Sequence, residues 1–146
     1  LFRSECGEET ERVLAGSTIG LCLDTGHLLI GGGDPVRIAR EHPGRSAHAH
    51  LKDVRLDVAR QVPAWEVSYT EGVAAGMYVP LGRGDVDIAA IVVALEDAGY
   101  AGWYVLEQDT ILPAPPEDDD EGPMADVRTS YYYLLALAAQ HSGVGI

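Results

Sequence analysis

Apolar runs of strand length alternate with helix-periodic stretches along this chain, and that alternation permits few folds. Thr18-Ile19-Gly20-Leu21-Cys22-Leu23 closes on Asp24 as a parallel strand covered on both faces would. Ser46 to Leu51 is a second such run, and Trp103-Tyr104-Val105-Leu106, ending at Glu107, is a third. Helical patterns stand between them. Glu8 to Leu14 reads as a helix stopping at Gly16, and Asp34 caps another that has Pro35 at its first position and ends at His42-Pro43-Gly44. Asp85-Val86-Asp87 opens a third, in which Ile88, Ile91, Val92 and Leu95 share a face before Gly99. Ala125 to Gln140, with Tyr131, Leu134, Leu135 and Ala138 in phase, closes the chain. The order αβαβαβα implies a parallel sheet with helical crossovers.

Two segments break the pattern. Asp53 to Gly84 has no clean periodicity and reads as an excursion over an active site. Pro113 to Pro123 reads as a loop, and its stretch from Pro116 to Gly122 holds five acids without a base. Three strands cannot close a barrel. The chain starts on Leu1 inside a helical pattern, so the expectation is the carboxyl-terminal portion of a barrel about twice as long.

Composition narrows the function classes. Ten Lys and Arg against 23 Asp and Glu give a net charge of −13, which disfavours a protein that tracks a nucleic-acid backbone with clustered cations. The 47% apolar content is enough for a core. The longest apolar stretches fall far short of the ~20 residues that cross a bilayer, and no signal peptide opens the chain, so a cytoplasmic location is the default expectation. Cys6 and Cys22 imply no disulfide framework.

The polar residues at the strand ends carry the chemistry. Side chains two apart in a strand share a face, so His48, His50 and Lys52 point one way, as do Gly20, Cys22 and Asp24, and Trp103, Val105 and Glu107. If that face is a barrel interior, Asp24, His50 and Glu107 converge at the carboxyl-terminal mouth, where barrel enzymes do their chemistry. Carboxylates and imidazole without thiolate suit Mn²⁺, Co²⁺, Mg²⁺ or Zn²⁺. Such a centre would hold adjacent oxygens of a polyol, with Glu107 able to move a proton. Plainer readings stand beside this one. Asp24 also fits a turn or cap residue, His48 a hydrogen-bonded interior histidine, Lys52 and Asp53 a surface pair, and Tyr100 and Trp103 packing residues. Leu81-Gly82-Arg83-Gly84-Asp85 fits a tight turn better than a phosphate loop, because it lacks the lysine and the spacing.

Gly20 to Leu28 with Gly32-Gly33-Asp34-Pro35, His48-Ala49-His50-Leu51-Lys52-Asp53, Pro80 to Gly84 and Ala98 to Glu107 together resemble the xylose isomerase-like TIM-barrel superfamily, nearest to its inosose dehydratases and sugar-phosphate isomerase/epimerase members. The resemblance implies an α/β fold in which residues 1–146 form about three βα units of a (β/α)8 barrel, with the amino-terminal half missing. It implies Asp24, His50 and Glu107 as ligands of a divalent metal (Mn, Co, Mg or Zn), Glu107 also as an acid/base group, and His27 and Lys52 as catalytic and substrate-binding residues. A fourth ligand, a glutamate, would lie upstream of Leu1.

The implied activity of the full-length protein is that of a metal-dependent lyase or isomerase on a sugar or cyclitol. An inosose dehydratase would remove the proton next to a ketone, pass through an enediolate and lose water; an epimerase would reprotonate the same species on its other face. Val54 to Val79 would carry that choice. A zinc phosphodiesterase of the endonuclease branch and a noncatalytic barrel fragment are the competing readings. The expected partner is a small polyol, with no nucleic acid and no membrane, and the open strand edges leave room for pairing with a second copy as a homo-oligomer without predicting it.

Overall fold

The computed structural model of the chain describes residues 7–62, 66–112, 114 and 121–141. In chain order these form α1 (Gly7–Gly16), β1 (Leu21–Asp24), α2 (Thr25–Ile30), α3 (Pro35–Glu41), a single 3-10 turn (Pro43–Arg45), β2 (Ser46–Leu51), β3 (Asp53–Val54), α4 (Leu56–Ala59), α5 (Tyr69–Ala74), β4 (Tyr78–Val79), α6 (Ile88–Asp97), β5 (Trp103–Leu106) and α7 (Gly122–His141). They divide into two compact units, Leu1–Lys52 with Val86–Glu107, and Asp53–Asp85 with Gln108–Ile146.

The first unit is built on a three-stranded parallel sheet in the order β1-β2-β5. Its register pairs Leu23 with Ala49, Asp24 with His50, His50 with Val105 and Leu51 with Leu106. Parallel partners point to the same face, so the period of two sorts the strands into two sets. Leu21, Leu23, Ala49 and Leu51 are buried on one face. Cys22, Asp24, His48 and His50 alternate with them and share the other. Cys22 and His48 are only half-buried, so this face is more open than the both-sides-covered strand expected from the apolar run.

Helices α3 and α6 pack against each other. Ile38 and Ala39 from the first and Ile88, Ile91 and Leu95 from the second have no exposed surface. Burial of this kind is worth roughly 1.5–3 kcal/mol for each large aliphatic side chain. The cap residues act as the sequence indicates. Asp34 accepts from the Arg37 amide ahead of Pro35, and Asp87 accepts from the Ala90 amide. On β5, the Tyr104 hydroxyl donates to Glu96, and burial together with that carboxylate pushes its pKa well above the usual phenol range.

Trp103 departs from its expected packing role, since it is 77% exposed. It lies on β5, an edge of this sheet. Tyr100 does pack, tilted against the Tyr104 ring with centroids 5.0 Å apart.

The second unit contains the aperiodic segment read as an excursion, and that segment holds short elements of its own. Residues Asp53 to Asp85 contain the antiparallel pair β3 and β4 and the short helices α4 and α5. Elements of two to six residues are too short to show periodicity, which is why the sequence pattern misses them. Asp53 organises this segment. Its Oδ2 accepts from the Gly82 and Gly84 amides at 2.8 and 2.9 Å, and its Oδ1 accepts from the Val54 amide at 2.9 Å. The glycine pair is therefore a turn, and the anion it cradles is the chain's own carboxylate.

Both glycines are required by space. A Cβ on Gly82, which has φ +80°, would lie 2.5 Å from the Tyr133 ring, and one on Gly84 would strike the Asp53 carboxylate. Asp53→Ala leaves three amide donors without their acceptor, and we expect it to cost about 3 kcal/mol in denaturant unfolding. A loss below about 1 kcal/mol would remove Asp53 from this organising role.

Helix α5 begins with a reciprocal capping box. Ser68 Oγ accepts from the Glu71 amide, and the Glu71 carboxylate accepts from the Ser68 amide at 2.7 Å. The Ser68 amide is the main cause holding the Glu71 carboxyl below its ordinary pKa. A depressed folded pKa adds stability above the unfolded value that is lost as pH falls through the folded one. Acid unfolding of the parent should therefore carry a component below the ordinary glutamate range that Glu71→Gln lacks. Superimposable acid profiles would contradict this.

Helix α7 turns a different face inward from the predicted one. Tyr131 and Leu135 are exposed, whereas Ser130 is buried and its Oγ accepts from the Leu81 amide at 3.1 Å. That polar contact and the Tyr133 ring near Gly82 mark the side of the helix turned inward. The loop expected over Pro113 to Pro123 lies largely outside the described residues.

Candidate metal centre

Asp24 ends β1 and starts α2, and its two carboxylate oxygens divide the work. Oδ1 accepts from the His27 amide at 3.0 Å and caps the helix, while Oδ2 lies 3.8 Å from His50 Nδ1. The cap reading therefore holds, and it leaves Oδ2 directed at His50. The cap also explains why Thr25–Ile30 is helical, a helix the sequence pattern does not announce. Within that first turn the buried Thr25 hydroxyl accepts from the Lys52 amide and donates to the Lys52 carbonyl, both at 2.9 Å. This tie fixes the end of β2 against the end of β1. Sequence reasoning passes over Thr25, although its place directly after Asp24 was a usable signal.

His50 comes from β2 in register with Asp24. Glu107 follows β5, and its amide donates to the Leu51 carbonyl at 3.1 Å, extending the ladder by one residue. Its Oε2 lies against His50 Nδ1, and its Oε1 accepts from Lys52 Nζ at 2.8 Å. Ligand atoms of Asp24, His50 and Glu107 all lie within 4.8 Å of one another. The three strand ends thus meet.

Lys52 is the sole lysine of the chain and is only 1% exposed. Its Nζ also stands 3.2 Å from His27 Nε2. An ammonium group has no acceptor, so with Lys52 charged His27 Nε2 accepts and the ring proton sits on Nδ1. The surface-pair reading of Lys52 and Asp53 fails: both are buried, and they serve different partners. His48 stands edge-on to His50 with ring centroids 5.2 Å apart, and it makes no side-chain hydrogen bond among the described residues. It is therefore neither the hydrogen-bonded interior histidine expected nor a member of the ligand cluster. Asp109 accepts from Tyr69 at 2.9 Å, and Gln108 donates to Asp126 at 2.7 Å.

The donor set fits a cation. Two carboxylates against one ammonium leave a net charge of −1, and His50 Nδ1 is buried without hydrogen-bond geometry to either acid. Oxygen and nitrogen donors of this kind suit a hard or borderline divalent ion. A second trio, Glu11, Glu41 and His42, is equally close-set, but there Arg37 bridges both carboxylates at 2.7 and 3.0 Å, so its cation is already a guanidinium.

Residues 6–125 match the family described as the xylose isomerase-like TIM barrel. The chain belongs to that family. Among its relatives, this xylose isomerase-like chain is 38% identical over 137 residues to the rhizopine catabolism protein MocC of Rhizobium meliloti, covering 92% of this chain and 40% of that protein. It is 37% identical over 115 residues to the inosose dehydratase of Geobacillus thermodenitrificans, covering 75% of this chain and 39% of that enzyme.

The chain thus spans about two fifths of the length of these relatives. Two solved structures share the fold. A D-tagatose 3-epimerase-like protein superposes with a TM-score of 0.59 at 16% identity, over 95% of this chain and 43% of the other. The IolI protein with a bound zinc atom gives 0.58 at 17% identity, over 95% and 44%. The described residues form an α/β portion of a xylose isomerase-like fold with no closed barrel, and none of their helices is long and apolar enough to cross a membrane.

Proposed function

We propose that this chain carries the metal and acid/base residues of a metal-dependent lyase or isomerase for small polyols, and that the complete protein is an inosose dehydratase. The convergence of Asp24, His50 and Glu107 within 4.8 Å carries this reading. Relatives named inosose dehydratase and rhizopine catabolism protein support the cyclitol substrate, and a neighbour of the same fold described with zinc supports the metal.

Asp24, His50 and Glu107 would hold the ion. A bound divalent metal would supply Lewis acidity toward adjacent substrate oxygens. Glu107 takes the proton from the carbon next to the ketone, and Lys52, 2.8 Å from its Oε1, fixes the carboxylate and balances its charge. His27, held by the cap at Asp24 and by Lys52, orients a substrate hydroxyl. The hydroxyl on the next carbon then leaves with a proton as water. These residues correspond to the final strand-helix units of the barrel.

Incubating the complete protein with a keto-inositol in D₂O tests this reading. The expected result is a dehydrated diketone, with activity lost to a chelator and restored by Mn²⁺, Co²⁺ or Zn²⁺. Recovery of an epimer without loss of water would replace the dehydratase with an epimerase, and activity indifferent to chelation would overturn the metal.

A further inference from the structure

The chain has ten basic side chains against 23 acidic ones, yet Arg55, Arg60 and Arg83 line a single surface cavity of about 500 Å³ in the second unit. Asp57 and Asp85 also line it. Arg55 donates to Asp57 at 2.7 Å, and Asp85 accepts from the Leu56 amide at 2.7 Å. The guanidinium groups of Arg60 and Arg83 have neither a hydrogen bond nor an ion pair among the described residues. Three arginines and two aspartates leave the cavity at +1 in a chain of −13.

The backbones that present the two arginines are ordered. Arg60 caps the end of α4 through its amide to the Leu56 carbonyl, and Arg83 stands between Gly82 and Gly84, whose amides are clamped by Asp53. Two such forks on ordered backbone match the oxygens of a dianion better than a single carboxylate, because each can bind in a bidentate way. The volume lies in the range of metabolite sites, about 300–1,000 Å³, and exceeds what a lone phosphate fills. Asp57 and Asp85 offer acceptors for hydroxyl groups beside the anion. We propose that this cavity binds the phosphomonoester of a small polyol, with the phosphoryl group on Arg60 and Arg83 and the hydroxyls toward Asp57 and Asp85. The proposal does not rest on the reaction assigned to the metal cluster.

Calorimetric titration of the chain at low ionic strength with sorbitol 6-phosphate, inorganic phosphate and sorbitol tests it. Saturable binding is expected for sorbitol 6-phosphate, weaker binding for inorganic phosphate and none for sorbitol. In R60Q/R83Q the Kd for sorbitol 6-phosphate should rise at least about tenfold, since both charge-assisted contacts are lost. R12Q/R40Q, which removes the same charge from the first unit, should leave it unchanged. All four side chains are exposed, so both doubles should keep the parent circular dichroism. Absence of saturable binding, or equal Kd values in the parent and R60Q/R83Q, would overturn the site. Equal affinity for inorganic phosphate and sorbitol 6-phosphate would overturn its polyol specificity.

Discussion

If the complete protein turns over a keto-inositol as proposed, Glu107→Gln should lower that turnover about 1,000-fold, within the range of roughly 10²–10⁴ associated with loss of a positioned general base. The side chain keeps its size, and its amide oxygen can still accept from Lys52. It can no longer take up the substrate proton. The fall should appear in kcat more than in KM, because the group acts at the transition state. Glu107 is also the acid beside Lys52, which is 1% exposed, and removing that charge disturbs a buried ammonium. Glu107→Asp is the companion variant, since it retains the charge while withdrawing the carboxylate by one methylene. If both variants melt near the parent temperature and only turnover falls, the proton-transfer role holds. Turnover within tenfold of the parent in Glu107→Gln would end it.

Asp24→Asn should weaken divalent metal binding more than about 100-fold, beyond the 10–100-fold typical of losing a residue that only supports a ligand. The substitution separates the two tasks of Asp24. Asparagine caps helices about as well as aspartate, so the amide of His27 keeps its acceptor and α2 keeps its start. The charge directed at His50 is gone. His50→Ala should produce a comparable loss by a different route, removing the nitrogen donor between the two acids. Competition of each variant with a chelator of known affinity measures the effect. Parent-like affinity in either would exclude that residue as a ligand.

Much of this was readable from residue order. The period of two in Ser46 to Lys52 puts His48, His50 and Lys52 on one face, and the β2 boundaries come out as read. Asp34-Pro35 and Asp87 mark helix starts because a cap is a local hydrogen bond between residues three apart. What escaped depends on distant partners. That Asp53 would be held by Gly82 and Gly84 required a turn some 30 residues away, and nothing local distinguishes it from the surface partner of Lys52. The inward face of α7 was misread for a similar reason. Its apolar phase favours Tyr131 and Leu135, but the buried position is Ser130, which accepts from the Leu81 amide. The convergence of Asp24, His50 and Glu107 was legible because each lies where an apolar run ends, and strand ends are the places that parallel pairing aligns.

The pairing of β1 with β2 binds two properties into one. Leu23 lies beside Ala49 and Asp24 beside His50, so core residues and cluster residues alternate along the same few positions. Slipping β2 by one position would turn His50 toward the leucines and Leu51 toward the acids. A misregistered molecule would thus lose its interior and its Asp24–His50–Glu107 cluster in the same event, so pairing error alone leaves no well-folded species with the cluster dispersed.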